Sequence, residues 1–220
     1  MLTLFNQMPT SIVAGSTGLV GSKILKYLSD NNNKPIALAR SKINQLPSNA
    51  QELIIDFDSL LINGSLPSCD HIFICIGTTI KIAKNKENFK KIDLDYPLVI
   101  AQKALDSGAK KLTLISSVGA DSQSKNFYLR IKGELEDAIL ELGFESVNIF
   151  RPSFLIGQGG RQRAVSEKIL MKVAKIFDIF CIGSARKYRS IDAQKLATKM
   201  GSTLYSDPGI HYYYFDDFVN

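Results

Sequence analysis

The segment Gly15-Ser16-Thr17-Gly18-Leu19-Val20-Gly21 carries three glycines in the spacing GxxGxxG, and the fold can be worked out from it. It stands between a short apolar run, Ser11–Ala14, and a stretch with helical spacing of apolar residues, Leu19–Ser29. The first glycine permits a tight turn, the second lets a ligand approach the backbone, and the third permits close packing of helix on strand. A helix N-terminus also offers unpaired N–H groups to an anion. All seven residues are therefore predicted to bind the pyrophosphate of a dinucleotide.

Outward from this turn, short apolar runs alternate with helical stretches. The helical stretches Asp93–Ser107 and Asn126–Leu142 are each followed by a glycine, which is a typical helix stop. Strands alternating with crossover helices predict an α/β fold with a doubly wound parallel sheet, the Rossmann fold. The runs expected to form its strands are Ser11–Ala14, Pro35–Ala39, Leu53–Ile55, His71–Ile76, Lys111–Ser116 and Val147–Phe150.

The pattern becomes less regular after Pro152. We expect a glycine-rich loop over 154–163, helices over Ala164–Phe180 and Ile191–Tyr205, and a last strand over His211–Phe215. This region is short for an independent domain. The sequence therefore predicts one domain, residues 1–220, in which residues 153–220 form a small cap on the substrate side.

Composition narrows the class of protein. The chain has 220 residues, of which 45% are hydrophobic and 22% charged, as in ordinary globular proteins. No apolar run approaches the ~18 residues of a membrane helix, and the N-terminal stretch lacks the features of a signal peptide. Cys69, Cys75 and Cys181 have no metal-ligand spacing, so no metal site is predicted. These features lead us to expect a cytosolic protein that does not bind membranes.

The net charge of +6 raises the question of nucleic-acid binding. The basic residues cluster in Lys81–Lys91, Arg161–Lys175 and Arg186–Arg189, and solvated basic faces explain such clusters. Some of them can instead attract an anionic cofactor or substrate. The aromatic sheet signature of RNA-binding modules is absent from the sequence. No nucleic-acid partner is expected.

The end of the second strand indicates which dinucleotide is preferred. NAD sites usually carry an acid there, but this chain has Arg40-Ser41-Lys42. An arginine can make a bidentate contact with the 2′-phosphate of NADP, so NADP is favoured over NAD. Asp56, just after the third strand, is expected to accept from the adenine amine. Gly77 and Thr78, just after the fourth, are expected to line the adenosine ribose.

A candidate catalytic set follows the fifth strand. Ser116-Ser117 ends that strand, and Tyr128 and Lys132 lie one turn apart on the next helix, at the sheet edge where dinucleotide folds place their chemistry. A lysine ammonium near a phenol favours the phenolate. Tyr128 would then protonate a carbonyl oxygen as hydride arrives, or take the proton in reverse. Ser117 would hold that oxygen, Ser116 would lie beside the cofactor, and Lys132 would also bond the nicotinamide ribose. Ordinary helix residues are the alternative interpretation of Tyr128 and Lys132.

Four segments resemble a known family. GSTGLVG (15–21), CIGTT (75–79), SSVGADSQSKNFYLRIKGELE (116–136) and FRPSFLIG (150–157) are similar to the Tat-interacting-protein-like oxidoreductases, in the atypical branch of the short-chain dehydrogenase/reductase superfamily. The resemblance implies an NADP-binding Rossmann fold with Ser117, Tyr128 and Lys132 as catalytic residues. It also implies that Arg151-Pro152-Ser153 passes the nicotinamide. Two features depart from the pattern: the interval from Ser117 to Tyr128 is shorter, and Asp93 stands where many members have asparagine.

Three functions follow, in order of preference. The first is an NADP-dependent oxidoreductase acting on a small carbonyl or alcohol. The second is a non-catalytic sensor in which bound NADP(H) controls a protein partner, because the sequence carries no substrate signature. The third, a sugar-nucleotide epimerase, is less favoured, because such enzymes usually have a larger C-terminal region for the nucleotide sugar.

Overall fold

A computed structural model describes residues 8–157 and 183–219. The helix predicted over Ala164–Phe180 and most of the loop predicted over 154–163 lie outside the described residues. So does much of the predicted cap, and the boundaries of that cap stay a prediction.

The described residues build one sheet of seven parallel strands in the order β3-β2-β1-β4-β5-β6-β9. The sequence order reverses between β1 and β4, which is the switch point where such sheets bind dinucleotides. A second, two-stranded parallel pair, β7 with β8, lies apart from this sheet. The strands are β1 (Ser11–Ala14), β2 (Ile36–Ala39), β3 (Gln51–Ile54), β4 (His71–Ile74), β5 (Lys111–Ile115), β6 (Ser146–Phe150), β7 (Leu155–Ile156), β8 (Ile191–Asp192) and β9 (Gly209–Tyr213). The prediction of a doubly wound parallel sheet is confirmed.

Helices cover both faces of the sheet. They are α1 (Gly21–Asp30), α2 (Phe57–Ile62), α3 (Ile80–Ala83), α4 (Lys86–Lys90), α5 (Tyr96–Asp106), α6 (Phe127–Glu141), α7 (Ala193–Ser202) and α8 (Phe215–Val219). A π turn, Lys91–Asp95, joins α4 to α5, and two 3₁₀ turns occupy Gly183–Tyr188 and Thr203–Tyr205.

Several predicted boundaries were wrong by two or more residues, and three of these differences have a clear local reason. The helix expected from Asp93 begins seven residues earlier, at Lys86, because the Asn85 side chain caps it by accepting from the Asn88 N–H at 2.7 Å. The helix expected from Ile191 begins at Ala193, because Asp192 caps it by accepting from the N–H groups of Gln194 and Lys195. The last strand ends at Tyr213 instead of Phe215, since Phe215 opens α8.

The core consists of two apolar layers, one on each side of the sheet. Alternate strand residues such as Ile12 and Ile72 face the layer that contains the buried residues of α5 and α6. Their neighbours Val13 and Phe73 face the layer built with α1 and α7. Strands buried on both faces are characteristic of a parallel sheet. The described C-terminal residues contribute to this core, because α7 packs in the second layer and β9 pairs with β6 at the edge of the main sheet.

Candidate functional site

The glycine turn has the geometry that its spacing requires. Gly15 has φ +81°, and a Cβ there would lie 2.6 Å from the backbone of Cys75. A Cβ on Gly21 would lie 2.3 Å from the Gly15 carbonyl oxygen, so helix α1 could not approach the turn. Among the residues that the structure describes, a Cβ on Gly18 would come within 4 Å of that oxygen alone, at 3.1 Å. Gly15 and Gly21 therefore satisfy contacts within the chain, whereas Gly18 leaves backbone open to a ligand.

The N-terminus of α1 beside this turn lacks a capping side chain. Val20 occupies the N-cap position without a side-chain hydrogen bond, and the first turn of α1 carries no acidic residue. Its N–H groups and the positive end of the helix dipole suit an anion. Thr17 is exposed at the turn, but Ser16 is buried and its hydroxyl donates to the Leu38 carbonyl at 3.1 Å. The Ser16 side chain therefore joins the turn to β2, and only its backbone remains for phosphate.

The ends of β2 and β3 bring a cation and an aromatic ring together. Arg40 and Lys42 are exposed, and the Arg40 guanidinium carbon lies 6.0 Å from the centroid of the Phe57 ring. Asp56 lies after β3 as expected, but its carboxylate caps α2, accepting from the Asp58 N–H at 3.2 Å and the Ser59 hydroxyl at 3.0 Å. Sequence reasoning missed Phe57, which directly follows the acid that it singled out.

Lys132 does not stand alone in the site. Its ammonium lies 2.8 Å from Asp93 Oδ1, and the two side chains are 5% and 1% exposed. The other Asp93 oxygen accepts from the Thr78 N–H at 2.8 Å. Burial raises the pKa of the Asp93 carboxyl, and Lys132 and the Thr78 N–H oppose that rise. The π turn that carries Asp93 is a local widening of the helix, a feature often found at functional sites.

Gly77 lies directly over this ion pair. It is exposed, and a Cβ there would lie 3.4 Å from Asp93 Oδ1 and 3.8 Å from Lys132 Nζ. The lysine and the carboxylate are therefore buried under a residue without a side chain, at the carboxyl end of β4. Sequence reasoning singled out Gly77, Thr78 and Lys132 separately, and the structure brings them together through Asp93.

Tyr128 and Ser117 lie at the same edge but are less constrained. Tyr128 is 38% exposed, and its ring packs edge-on against Phe89 at 5.9 Å between centroids. The half-buried Ser117 hydroxyl has one long hydrogen bond, 3.4 Å to the Val118 carbonyl. In the described part of the chain no hydrogen bond directly joins Tyr128 to Ser117 or to Lys132.

A second buried charge lies one helical turn beyond Lys132. Glu136 is 2% exposed and accepts from the Ser116 hydroxyl. Arg151 forms an ion pair with the same carboxylate and donates from Nε to both of its oxygens at 3.1 Å. Burial disfavours the charged Arg151 guanidinium, but Glu136 raises its pKa above the ordinary value. The spacing of Tyr128, Lys132 and Glu136, four residues apart each time, was the signal that could have revealed Glu136.

The segment expected to pass the nicotinamide, residues 151–153, makes hydrogen bonds to other parts of the protein. The guanidinium of Arg151 faces Glu136, and its Nη1 donates to the Tyr214 hydroxyl at 3.1 Å. Pro152 is buried, and the Ser153 hydroxyl donates to the Arg189 carbonyl. Residues 151–153 therefore hold the ends of β5 and β6 against the C-terminal segments, and any contact with a cofactor is in addition to these contacts.

Within 8–157 and 183–219, no three His, Cys, Asp or Glu side chains converge as they would around a metal ion. Over the same ranges, no helix has the length and apolar character to span a bilayer.

Comparison with known proteins identifies relatives, although no protein-family model matches the chain. A Candida albicans protein, "Protein FMP52, mitochondrial", is 32% identical over 171 residues, which are 74% of this chain and 75% of that protein. Its Kluyveromyces lactis namesake is 31% identical over 202 residues, 90% of this chain and 84% of that protein. The rat protein HTATIP2 is 32% identical over 156 residues, 67% of this chain and 64% of that protein.

Solved structures share the fold at low sequence identity. MoeE5 in complex with UDP-glucose and NAD has a TM-score of 0.69 at 13% identity, covering 96% of this chain and 79% of that one. The human epimerase family protein SDR39U1 with NADPH has a TM-score of 0.63 at 16% identity, covering 92% and 72%. These likenesses establish the Rossmann fold of the chain.

The relatives also correct one expectation. The cytosolic location expected from the sequence is wrong, because the similar proteins of Candida albicans, Meyerozyma guilliermondii and Debaryomyces hansenii are all named as mitochondrial, which points to mitochondria. The family resemblance carried by the four sequence segments is confirmed by identities of 30% and more over most of both chains. The chain belongs to the family of FMP52 and HTATIP2, within the atypical short-chain dehydrogenases/reductases.

Proposed function

We propose that the protein is a mitochondrial oxidoreductase that transfers hydride between NADP(H) and a small carbonyl or alcohol. The observation that carries this proposal is the buried Lys132 ammonium beneath the exposed Gly77, at the sheet edge that also holds the glycine turn. Because Gly77 has no side chain, a ligand that enters from that edge can approach the Lys132 ammonium at the position where a Cβ would stand, 3.8 Å from Nζ. A cofactor ribose, with its hydroxyl acceptors, suits such a position.

The residues present fit a dinucleotide. Gly18 leaves room for a pyrophosphate against the turn, where a side chain would fill the space, and the uncapped end of α1 supplies N–H donors. The exposed Arg40, whose guanidinium carbon lies 6.0 Å from the centroid of the buried Phe57 ring, suits an adenosine that carries a 2′-phosphate, since guanidinium pairs with phosphate. Arg40 supports NADP over NAD. Asp93 and Lys132 would hold the ribose on the nicotinamide side. Thr78, expected from the sequence beside the adenosine ribose, donates to Asp93, so we place it on the nicotinamide side as well.

The reaction needs one hydride and one proton. The bound nicotinamide cofactor supplies or accepts the hydride. The Tyr128 hydroxyl gives its proton to the carbonyl oxygen in reduction and recovers it in oxidation. The Ser117 hydroxyl, which has only a long bond to Val118, is able to donate to the same oxygen. Lys132, compensated by Asp93, orients the ribose and gives the site a fixed donor.

A non-catalytic sensor remains the second candidate, supported by one observation. Tyr128 is 38% exposed and has no hydrogen bond to Lys132 in the described residues, so the phenol and the ammonium do not form a preassembled pair. In a sensor, bound NADP(H) would alter a surface read by a protein partner, and Tyr128 would be an ordinary surface residue.

Replacement of Tyr128 by phenylalanine distinguishes the oxidoreductase from the non-catalytic sensor. It removes the hydroxyl but keeps the ring that packs on Phe89. For an enzyme, turnover of NADPH with a panel of aldehydes and ketones falls by ~10²–10⁴-fold, while cofactor affinity changes only a few-fold. Tyr205→Phe, at a tyrosine that is 70% exposed, is the control and leaves turnover unchanged. A wild-type protein that turns over a substrate, with Tyr128→Phe equally active, would refute the catalytic role.

A further inference from the structure

The cluster around Glu136 joins three segments that the proposed reaction uses or borders. Glu136 lies on α6, one turn beyond Lys132, and its carboxylate accepts from Ser116 at the end of β5. Arg151, at the end of β6, binds both carboxylate oxygens and reaches Tyr214, between β9 and α8, at 3.1 Å. One carboxylate thereby fixes the carboxyl ends of two neighbouring strands.

The hydrogen bond from Ser116 determines what the two adjacent serines can do. A serine hydroxyl has a single proton, and that of Ser116 is donated to Glu136. Ser116 can therefore only accept a further hydrogen bond. Its backbone N–H donates to the Phe150 carbonyl at 2.7 Å, so both its main chain and its side chain are held. Ser117, whose hydroxyl donates only a long, 3.4 Å hydrogen bond to the Val118 carbonyl and can exchange it for one to a substrate oxygen, follows directly from this fixed residue.

Burial of the Glu136 and Arg151 charges costs desolvation free energy, which their ion pair and hydrogen bonds offset. Glu136 is 2% exposed, and the Arg151 side chain is 21% exposed. Buried ion pairs are frequently no more stabilising than apolar residues of the same volume, but they fix geometry through several directed bonds. Here the directed bonds converge on the Glu136 carboxylate, which accepts from Ser116, the residue before the serine proposed to hold the substrate oxygen. Tyr212, whose ring lies 4.8 Å from the Arg151 guanidinium carbon, holds that guanidinium from another side.

We propose that Glu136 is a positioning residue: held by Arg151, it anchors Ser116 and so sets the position of the Ser117 hydroxyl. The inference rests on the proposed function, because it assigns a role within that reaction. Because Arg151 also donates to the Tyr214 hydroxyl, the position of Ser117 depends on the C-terminal segment as well. Glu136 touches neither substrate nor cofactor in this account, and its effect passes through Ser116.

A double-mutant cycle tests whether Glu136 acts on the reaction through Ser116. Ser116→Ala and Glu136→Gln each lower kcat about tenfold, since a small misplacement of a reacting group is costly to the chemical step. Glu136→Gln leaves NADPH affinity nearly unchanged, because Glu136 is not a cofactor contact. The double variant loses no more than either single variant, because both break the same link. Glu134→Gln is the matched control on the same helix, as Glu134 is partly exposed, pairs with Arg130 and does not contact Ser116. It leaves kcat unchanged.

A second measurement needs no substrate. Amide hydrogen exchange over residues 116–119 speeds up in Ser116→Ala and Glu136→Gln but not in Glu134→Gln. If Glu136→Gln does not fold, Ser116→Ala alone must show both the lower kcat and the faster exchange. Wild-type kcat in Ser116→Ala, additive losses in the cycle, or unchanged exchange would each overturn the inference. If Tyr128→Phe lowers turnover while these variants do not, only the inference fails; if Tyr128→Phe is fully active, the proposed function fails.

Discussion

Lys132 Nζ lies 2.8 Å from Asp93 Oδ1, and these two charges compensate each other where almost no water reaches them. The lysine is carried by α6 and the aspartate by the π turn before α5, so the contact joins two helices at the edge of the sheet. A charge buried without a partner costs several kcal/mol. The charge of Lys132 is consequently balanced by Asp93. The position of the Lys132 ammonium in the site depends on this contact as much as on the four-residue spacing from Tyr128.

Removing either member of this pair is expected to destabilise the protein. Lys132→Met leaves a buried carboxylate and Asp93→Asn leaves a buried ammonium, and each should lower the free energy of unfolding by about 3–5 kcal/mol. In the double variant no charge remains unpaired, so its loss should be well below the sum of the single losses. Urea unfolding, followed by circular dichroism, measures all three.

The matched control is an exposed pair. Lys110 and Glu145 lie 3.1 Å apart, with side chains 66% and 58% exposed, and exposed pairs contribute about 0–1 kcal/mol. Lys110→Met and Glu145→Gln should therefore unfold almost as the wild type does. Strictly additive losses at Lys132 and Asp93 would mean that the two side chains do not interact in solution.

The sequence was most informative where the pattern is local. Apolar runs, glycine stops and the glycine spacing predicted the sheet and placed the turn between Ser11–Ala14 and α1, because each depends on a few consecutive residues. It was less informative about Asp56, since the same aspartate that suits an adenine amine also suits a helix N-cap. The contact of Glu136 with Arg151 joins α6 to the end of β6, and no spacing rule connects those two positions.

The glycine turn offers a contrast between two glycines of one motif. Gly18→Ala adds a Cβ 3.1 Å from the Gly15 oxygen, which a small shift accommodates, while it places a methyl group where pyrophosphate should approach. Gly21→Ala adds a Cβ 2.3 Å from the same oxygen, which only a backbone movement relieves. We expect Gly18→Ala to lose dinucleotide affinity with near-normal thermal stability, and Gly21→Ala to lose stability first. Calorimetric titration and thermal melts measure the two effects. Full affinity in Gly18→Ala would move the phosphate site elsewhere.

Arg40 should determine the preference between the two cofactors. Losing a charge-assisted phosphate contact costs roughly 1.5–3 kcal/mol, so Arg40→Ala should weaken NADPH binding by about tenfold or more and leave NADH binding nearly unchanged. Lys26→Ala is the control, because this exposed cation on α1 pairs with Asp30. Calorimetric titration of both cofactors gives the ratio. Equal affinity of the wild type for NADPH and NADH would remove the support for an NADP preference.

His71 is buried as a neutral ring, and a chain of hydroxyls shows which nitrogen carries the proton. The Thr203 hydroxyl donates to the Met200 carbonyl at 2.6 Å, so Thr113 donates to Thr203 at 2.7 Å. Thr113 is then left to accept from His71 Nε2–H at 2.8 Å. Nδ1 has no hydrogen-bond partner among the described residues. Burial, reinforced by the charge of Lys111, lowers the pKa of His71 to about 3.

This burial predicts how stability depends on pH. The His71 ring has a pKa of about 6.5 in the unfolded chain. Between that pH and about 3, the unfolded chain therefore binds a proton on His71 that the folded chain does not bind. The contribution of His71 to stability is therefore complete above about pH 6.5 and declines as the pH falls toward about 3. Between about pH 7.5 and about pH 5.5 it should lower the free energy of unfolding by ~1.4 kcal/mol.

Urea unfolding at the two pH values, for the wild type and two variants, isolates this contribution, because the carboxylates affect all three proteins alike. The chain has two histidines, and the second, His211, lies on the edge strand β9 with Nε2 3.0 Å from the Asp207 carbonyl. His211→Gln should keep the difference between the two pH values. His71→Gln should be less stable than the wild type at the higher pH, because it has lost the hydrogen bond to Thr113. Between the two pH values, however, its free energy of unfolding should fall by about 1.4 kcal/mol less than that of the wild type. The same pH dependence in His71→Gln as in the wild type would show that His71 is protonated as readily in the folded chain as in the unfolded one.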